Sequence, residues 1–128
     1  MTRFAPWFFA AAFYNLLWGL GAIVFAGPAI ELLGVGEWVS VPFMQVLGMM
    51  VAVYAYGYWL VAVDPKRYAQ FVWIGLAGKV CGVIGFTYYA TTGGLPWSLG
   101  WTILFNDLIW IPAFVLFLIQ VRNCLLYT

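Results

Sequence analysis

Residues 69–90 read AQFVWIGLAGKVCGVIGFTYYA, and Lys79 is the one charged side chain among them. At about 1.5 Å of rise per residue, a helix of this length covers ~30 Å, the thickness of a bilayer's hydrocarbon core. A barrel strand would alternate polar and apolar residues over about 10 positions, and this run does not alternate. Asp64-Pro65 stands before it and Thr91-Thr92-Gly93-Gly94 after it, so both ends are marked by residues that stop helices.

Three further runs have the same character. They cover residues 4–26, stopped by Gly27-Pro28, residues 41–63, stopped by Asp64-Pro65, and residues 97–121. The connections are short, and the longest, residues 27–40, carries Glu31, Glu37 and the turn material Gly34-Val35-Gly36. Short connections make successive helices antiparallel neighbours. The expected fold is therefore all-α and integral to a membrane: one domain over residues 1–128, an antiparallel bundle of four transmembrane helices.

Composition points the same way. Of 128 residues, 66% are apolar and 7% are charged, against roughly 25% charged in ordinary globular chains. Nine charged side chains could not cover the surface of a soluble domain this size. The net charge of +1 comes without a basic stripe, which argues against nucleic acid as a partner. With no His, the commonest ligand for zinc, copper and haem is missing, so neither a metal nor a cofactor is expected. Cys81 falls within a helix and Cys124 after the last one, in no CxxC pattern, so a bridge between them is not expected. Cys124, beside a membrane end, is a position for lipid attachment. The apolar stretch after Arg3 is too long for a removable signal peptide.

Orientation follows from the basic residues. Arg3 precedes the first helix, Lys66 and Arg67 lie between the second and third, and Arg122 ends the fourth. Four crossings place them all on one side, opposite Glu31 and Glu37, so both termini are expected in the cytoplasm of an inner-membrane, multi-pass protein. Trp7, Tyr58, Trp59, Tyr68 and Trp73 fall near the cytoplasmic boundary. Trp38, Tyr88, Tyr89, Trp97 and Trp101 fall near the outer one, as interfacial anchors would.

Two charges lie inside the helices. Lys79 is about ten residues from the cytoplasmic end of helix 3, and Asp107 about ten from the outer end of helix 4, so each is ~15 Å deep. An isolated charge there costs at least ~2.5–3.5 kcal/mol on insertion scales. A buried Lys79–Asp107 ion pair would offset that cost. Asn15 in helix 1 reaches the same layer, Asn106 neighbours Asp107, and Trp18 and Trp110 each follow a polar residue by three positions, on or near its face. Structural glue between helices is one reading of this layer, and a site for something polar is the other. The candidate ligand-binding set is Asn15, Trp18, Lys79, Asn106, Asp107 and Trp110. Gly75, Gly78, Gly82 and Gly85 form a stripe on helix 3 suited to close helix packing. Pro112 should kink helix 4 one turn past Asp107.

The stretches Asn15 to Gly19, Asp64-Pro65-Lys66-Arg67, Gly78-Lys79, Leu95-Pro96-Trp97 and Asn106-Asp107-Leu108-Ile109-Trp110 together resemble small four-helix bacterial membrane proteins of the DoxX-like group. That resemblance implies a membrane partner of redox or sulfur-metabolism enzymes, sometimes working near quinone. The chain also looks faintly like the sterol-isomerase-type four-helix fold, but has no His and only one carboxylate within its helices. Proton-driven small multidrug exporters share its size, yet rely on a helix 1 carboxylate where this chain has Asn15. The function expected first is a non-enzymatic membrane module. It would be a subunit, or a binding partner for a lipid-like or quinone-like molecule, assembled with another membrane protein or with its own copies. The alternatives are an enzyme on an apolar substrate, with Asp107 as acid or base and Lys79 tuning it, and a small proton-coupled carrier.

Overall fold

The computed structural model describes residues 2–126, with side chains described for residues 3–123. Among these residues the chain is helical, and no strand is present. Helix α1 (Ala5–Val24) leads into the short α2 (Ala26–Leu33). Helices α3 (Val41–Val63) and α4 (Ala69–Thr91) follow. The last run begins with a 3₁₀ turn (Trp97–Leu99), then α5 (Gly100–Ile103), a π-helical turn (Leu104–Leu108) and α6 (Ile111–Leu126). Four spans are long and apolar enough to cross a membrane: Ala5–Val24, Val41–Val63, Ala69–Thr91 and Trp97–Asn123. This is the make-up of a multi-pass membrane protein.

The helix ends follow local chemistry. Ser40 caps α3 by accepting the Phe43 amide at 3.3 Å, and Pro42 sits in the first turn, where its missing N–H costs nothing. Asp64 closes the α3–α4 turn by accepting the Arg67 amide. Gly27-Pro28, expected to stop the first helix, bends it instead. The helix breaks at Phe25 and resumes as α2, because Pro28 falls in the first turn of the new helix, where proline is tolerated. Pro28 has no N–H to offer the Val24 carbonyl, while the Ile23 carbonyl accepts the Gln45 side-chain amide at 3.1 Å. Gly34, at φ 69°, then ends α2 with the left-handed turn that glycine takes without strain.

Two packing zones hold the bundle. In the first, Phe8, Tyr58, Phe114 and Phe117 are almost wholly buried. Phe8 stacks on Phe114 at 5.1 Å and meets Phe117 edge-on at 4.8 Å, so α1 and α6 lock together. Tyr58 joins α3 to this cluster through Phe71 and Phe114. The second zone is a backbone seam between α1 and α3. A Cβ on Gly19 would stand 2.6 Å from the Gly48 carbonyl, and one on Gly48 would stand 2.7 Å from the Gly19 carbonyl. Only glycine permits that approach. The outer faces are apolar too: Phe13, Val53, Ile84 and Leu116 are exposed. Large apolar surface on all sides suits lipid rather than water.

The ends of the bundle differ. Arg3 donates to the Gln120 side chain at 3.2 Å, and Lys66 and Arg122 share one groove, so the basic residues gather at one end. At the other end Ser98 donates to the Leu33 carbonyl at 3.2 Å, tying the 3₁₀ turn to the end of α2. The Cys124 side chain, the position suggested for lipid attachment, lies outside the described residues.

Candidate functional site

The site begins with a backbone irregularity. Pro112 has no N–H for the Leu108 carbonyl, and the helix relaxes upstream of it by widening into the π-turn. In a regular α-helix the Ile109 and Trp110 amides would bond to the Phe105 and Asn106 carbonyls. Here Ile109 donates to Leu104 at 3.1 Å and Trp110 to Asp107 at 3.2 Å. Two carbonyls are passed over, and side chains fill both places. The Trp110 indole donates to the Phe105 carbonyl at 2.8 Å. The Lys79 ammonium donates to the Asn106 carbonyl at 2.5 Å.

Lys79 is the one buried charged side chain among the described residues. Its ammonium also lies 5.7 Å from the Tyr58 ring centre and 5.6 Å from that of Phe114, close enough for the faces of both rings to attract it. Gly75 makes room below, since a Cβ there would meet the Tyr58 hydroxyl at 2.7 Å. Tyr14 donates to the Asn106 side-chain oxygen. Asn106 therefore gathers α1 and α4 onto the π-turn, Tyr14 through its side chain and Lys79 through its carbonyl.

The expected Lys79–Asp107 ion pair is absent among the described residues. Side chains lean toward the N-terminal end of their own helix. Lys79 therefore points back toward Gly75 and the two rings, while Asp107 rests farther along α4, at Gly82. A Cβ on Gly82 would lie 2.6 Å from the Asp107 carboxylate. The vacated carbonyl of Asn106, not the carboxylate, lies in the path of the ammonium. No described side chain donates to Asp107, and its oxygens are not sealed in the protein but open on a cavity.

That cavity has a volume of about 410 Å³, within the roughly 300–1,000 Å³ of small-molecule sites. Its polar end is Tyr14, Lys79, Asn106 and Asp107, and its walls are apolar, with Met44, Leu47, Leu99 and Ile103 among them. It extends toward Val35, Val39 and Leu95, at the end of the bundle away from the basic residues.

Of the ligand-binding set expected from sequence, Asn15, Trp18, Lys79, Asn106 and Asp107 line this cavity. Trp110 does not. Its indole is engaged with the Phe105 carbonyl, and its ring stands against Trp7 and Tyr14. Asn15 also ties α1 to α3 through the Val51 carbonyl at 3.3 Å. The glycine stripe differs from expectation as well. Gly75 and Gly82 receive the side chains of Tyr58 and Asp107, whereas nothing stands within 4 Å of a Cβ on Gly78 or Gly85. None of the four meets a neighbouring backbone; the backbone seam is Gly19 with Gly48. Tyr58, placed by sequence at the membrane boundary, is 1% exposed and forms part of the lysine's cradle. Its position five residues before the end of α3 gave no signal of that inward turn. Among the described residues no three His, Cys, Asp or Glu side chains converge as a metal site would need.

No protein-family model, curated protein or solved structure matches the chain.

Proposed function

We propose that this protein is a non-enzymatic module of the inner membrane that binds a lipophilic molecule, lipid-like or quinone-like, by its polar head. The observation that carries the reading is an apolar cavity ending on an ammonium with hydrogens to spare and a carboxylate with no donor. A head group bearing both a donor and an acceptor, such as a hydroxyl or a quinol, would satisfy Asp107 and Lys79 together. Its tail would lie along Leu47, Leu99 and Ile103. The cost of keeping a bare carboxylate in an apolar layer, ~2.5–3.5 kcal/mol or more, favours an occupant that supplies a donor.

In this reading the four spans form an antiparallel bundle with both ends in the cytoplasm. The clustering of Arg3, Lys66, Arg67 and Arg122 at one end supports it. The DoxX-like resemblance adds the proposal that a redox enzyme or another membrane subunit is the partner. Native mass spectrometry from a gentle detergent tests these points together. Wild-type protein should carry a lipophilic adduct, a partner chain or both. Protein that is monomeric and ligand-free after gentle extraction would overturn the proposal.

A further inference from the structure

A second cavity, of about 330 Å³, lies between the start of α4 and the end of α6 and shares no lining residue with the central one. Its floor is the buried side chains of Leu118 and Val121, its wall is the exposed indole of Trp73, and its rim carries Lys66, Gln70 and Arg122. Charge and shape are therefore graded along it, with two cations and an amide at the end of the bundle and apolar surface beneath.

We propose that this groove is a binding site for an anionic phospholipid, with the phosphate between Lys66 and Arg122 and one acyl chain over Trp73 and Leu118. Neither cation has an acceptor among the described residues. Asp64, the one acidic side chain at this end of the bundle, takes the Arg67 amide instead. Gln70 also has no described partner and supplies a neutral donor for a phosphate oxygen or the glycerol backbone. The other basic residues are occupied differently: Arg3 lies over Phe4 and bonds to Gln120, and Arg67 lies over Tyr68. Basic pockets between helices at a cytoplasmic boundary recognise anionic head groups, and juxtamembrane cations are drawn to anionic leaflets. Trp73 adds the amphipathic ring that settles at head-group depth.

The test uses the full chain in mild detergent, supplied with phosphatidylglycerol or phosphatidylcholine and read by native mass spectrometry. The double variant K66Q/R122Q should lose phosphatidylglycerol retention by about tenfold or more, as expected for removing two juxtamembrane cations. The control R3Q/R67Q removes the same charge outside the groove and should retain the lipid. All three proteins are matched by thermal melting, and the changed positions are exposed, so folding should be unaffected. As a second readout, phosphatidylglycerol with brominated acyl chains should quench wild-type tryptophan fluorescence more than that of Trp73→Phe. Equal retention of phosphatidylcholine, equal loss in the control, or displacement of the lipid by inorganic phosphate would each overturn the proposal; the last would mark a site for free anions.

Discussion

The Lys79 ammonium bonds to the carbonyl of Asn106, 2.5 Å away, and not to the neighbouring Asp107 carboxylate. The lysine is thereby satisfied by backbone and aromatic faces, and the carboxylate is left facing the cavity. A helix that had closed its hydrogen bonds in regular α register would have offered no such carbonyl. Pro112, through the π-turn, is thus part of how the lysine is held.

The two charges should contribute unequally to stability. Lys79→Met leaves the Asn106 carbonyl without its donor and should cost about 1–3 kcal/mol. Asp107→Asn breaks no described hydrogen bond and takes a charge out of an apolar layer, so it should leave stability unchanged or raise it. Thermal or denaturant unfolding in detergent measures both. Equal and large losses in the two variants would indicate a structural ion pair instead.

Trp110→Phe should also destabilise, by about 1–3 kcal/mol, because the Phe105 carbonyl loses its only described donor. Trp18→Phe, at the cavity wall, should leave unfolding almost unchanged and affect only ligand affinity. Melting curves of the two variants side by side distinguish a tryptophan that holds the π-turn from one that lines a site.

The glycines should divide by what faces them. Gly19→Ala and Gly48→Ala push a methyl into a neighbouring carbonyl and should each cost about 1–3 kcal/mol. Gly78→Ala and Gly85→Ala meet open space and should be neutral, or stabilising by about 0.5–1 kcal/mol through helix propensity. Gly82→Ala should fold but turn the Asp107 carboxylate aside, so that ligand retention falls in native mass spectra.

Orientation has a direct chemical readout. Lys66 and Lys79 are the only lysines, and Lys79 is buried. An amine reagent that cannot cross membranes should label Lys66 in inside-out vesicles and leave it unlabelled in right-side-out ones, as peptide mapping would show. The reverse pattern would place the basic end outside.

Much of this architecture was legible in the residues. The bounds of α3 and α4 follow from unbroken apolar runs closed by Asp64-Pro65 and Thr91-Thr92, because a bilayer imposes length and proline imposes a stop. The polar layer was legible for a similar reason: counting 1.5 Å per residue from each end brings Asn15, Lys79 and Asp107 to one level. The contacts within that layer were not. Depth says nothing of rotation, so Lys79 and Asp107 could be placed level but not aimed. Pro112 marked a disturbance, yet its spread over Leu104–Leu108 depends on which carbonyls find other donors. The Gly19–Gly48 seam escaped notice because small residues recur in several helices, and spacing alone does not say which faces meet.

In the proposed function the cavity offers one ligand a donor at Lys79 and an acceptor at Asp107. The most direct measurement is a tryptophan-quenching titration with a decyl-substituted benzoquinone and the corresponding quinol. Both should quench saturably in the wild type. Lys79→Met should weaken the quinone by about tenfold, and Asp107→Asn should weaken the quinol by a similar factor, each ~1.4 kcal/mol. Unsaturable quenching, or equal affinities in wild type and both variants, would contradict it.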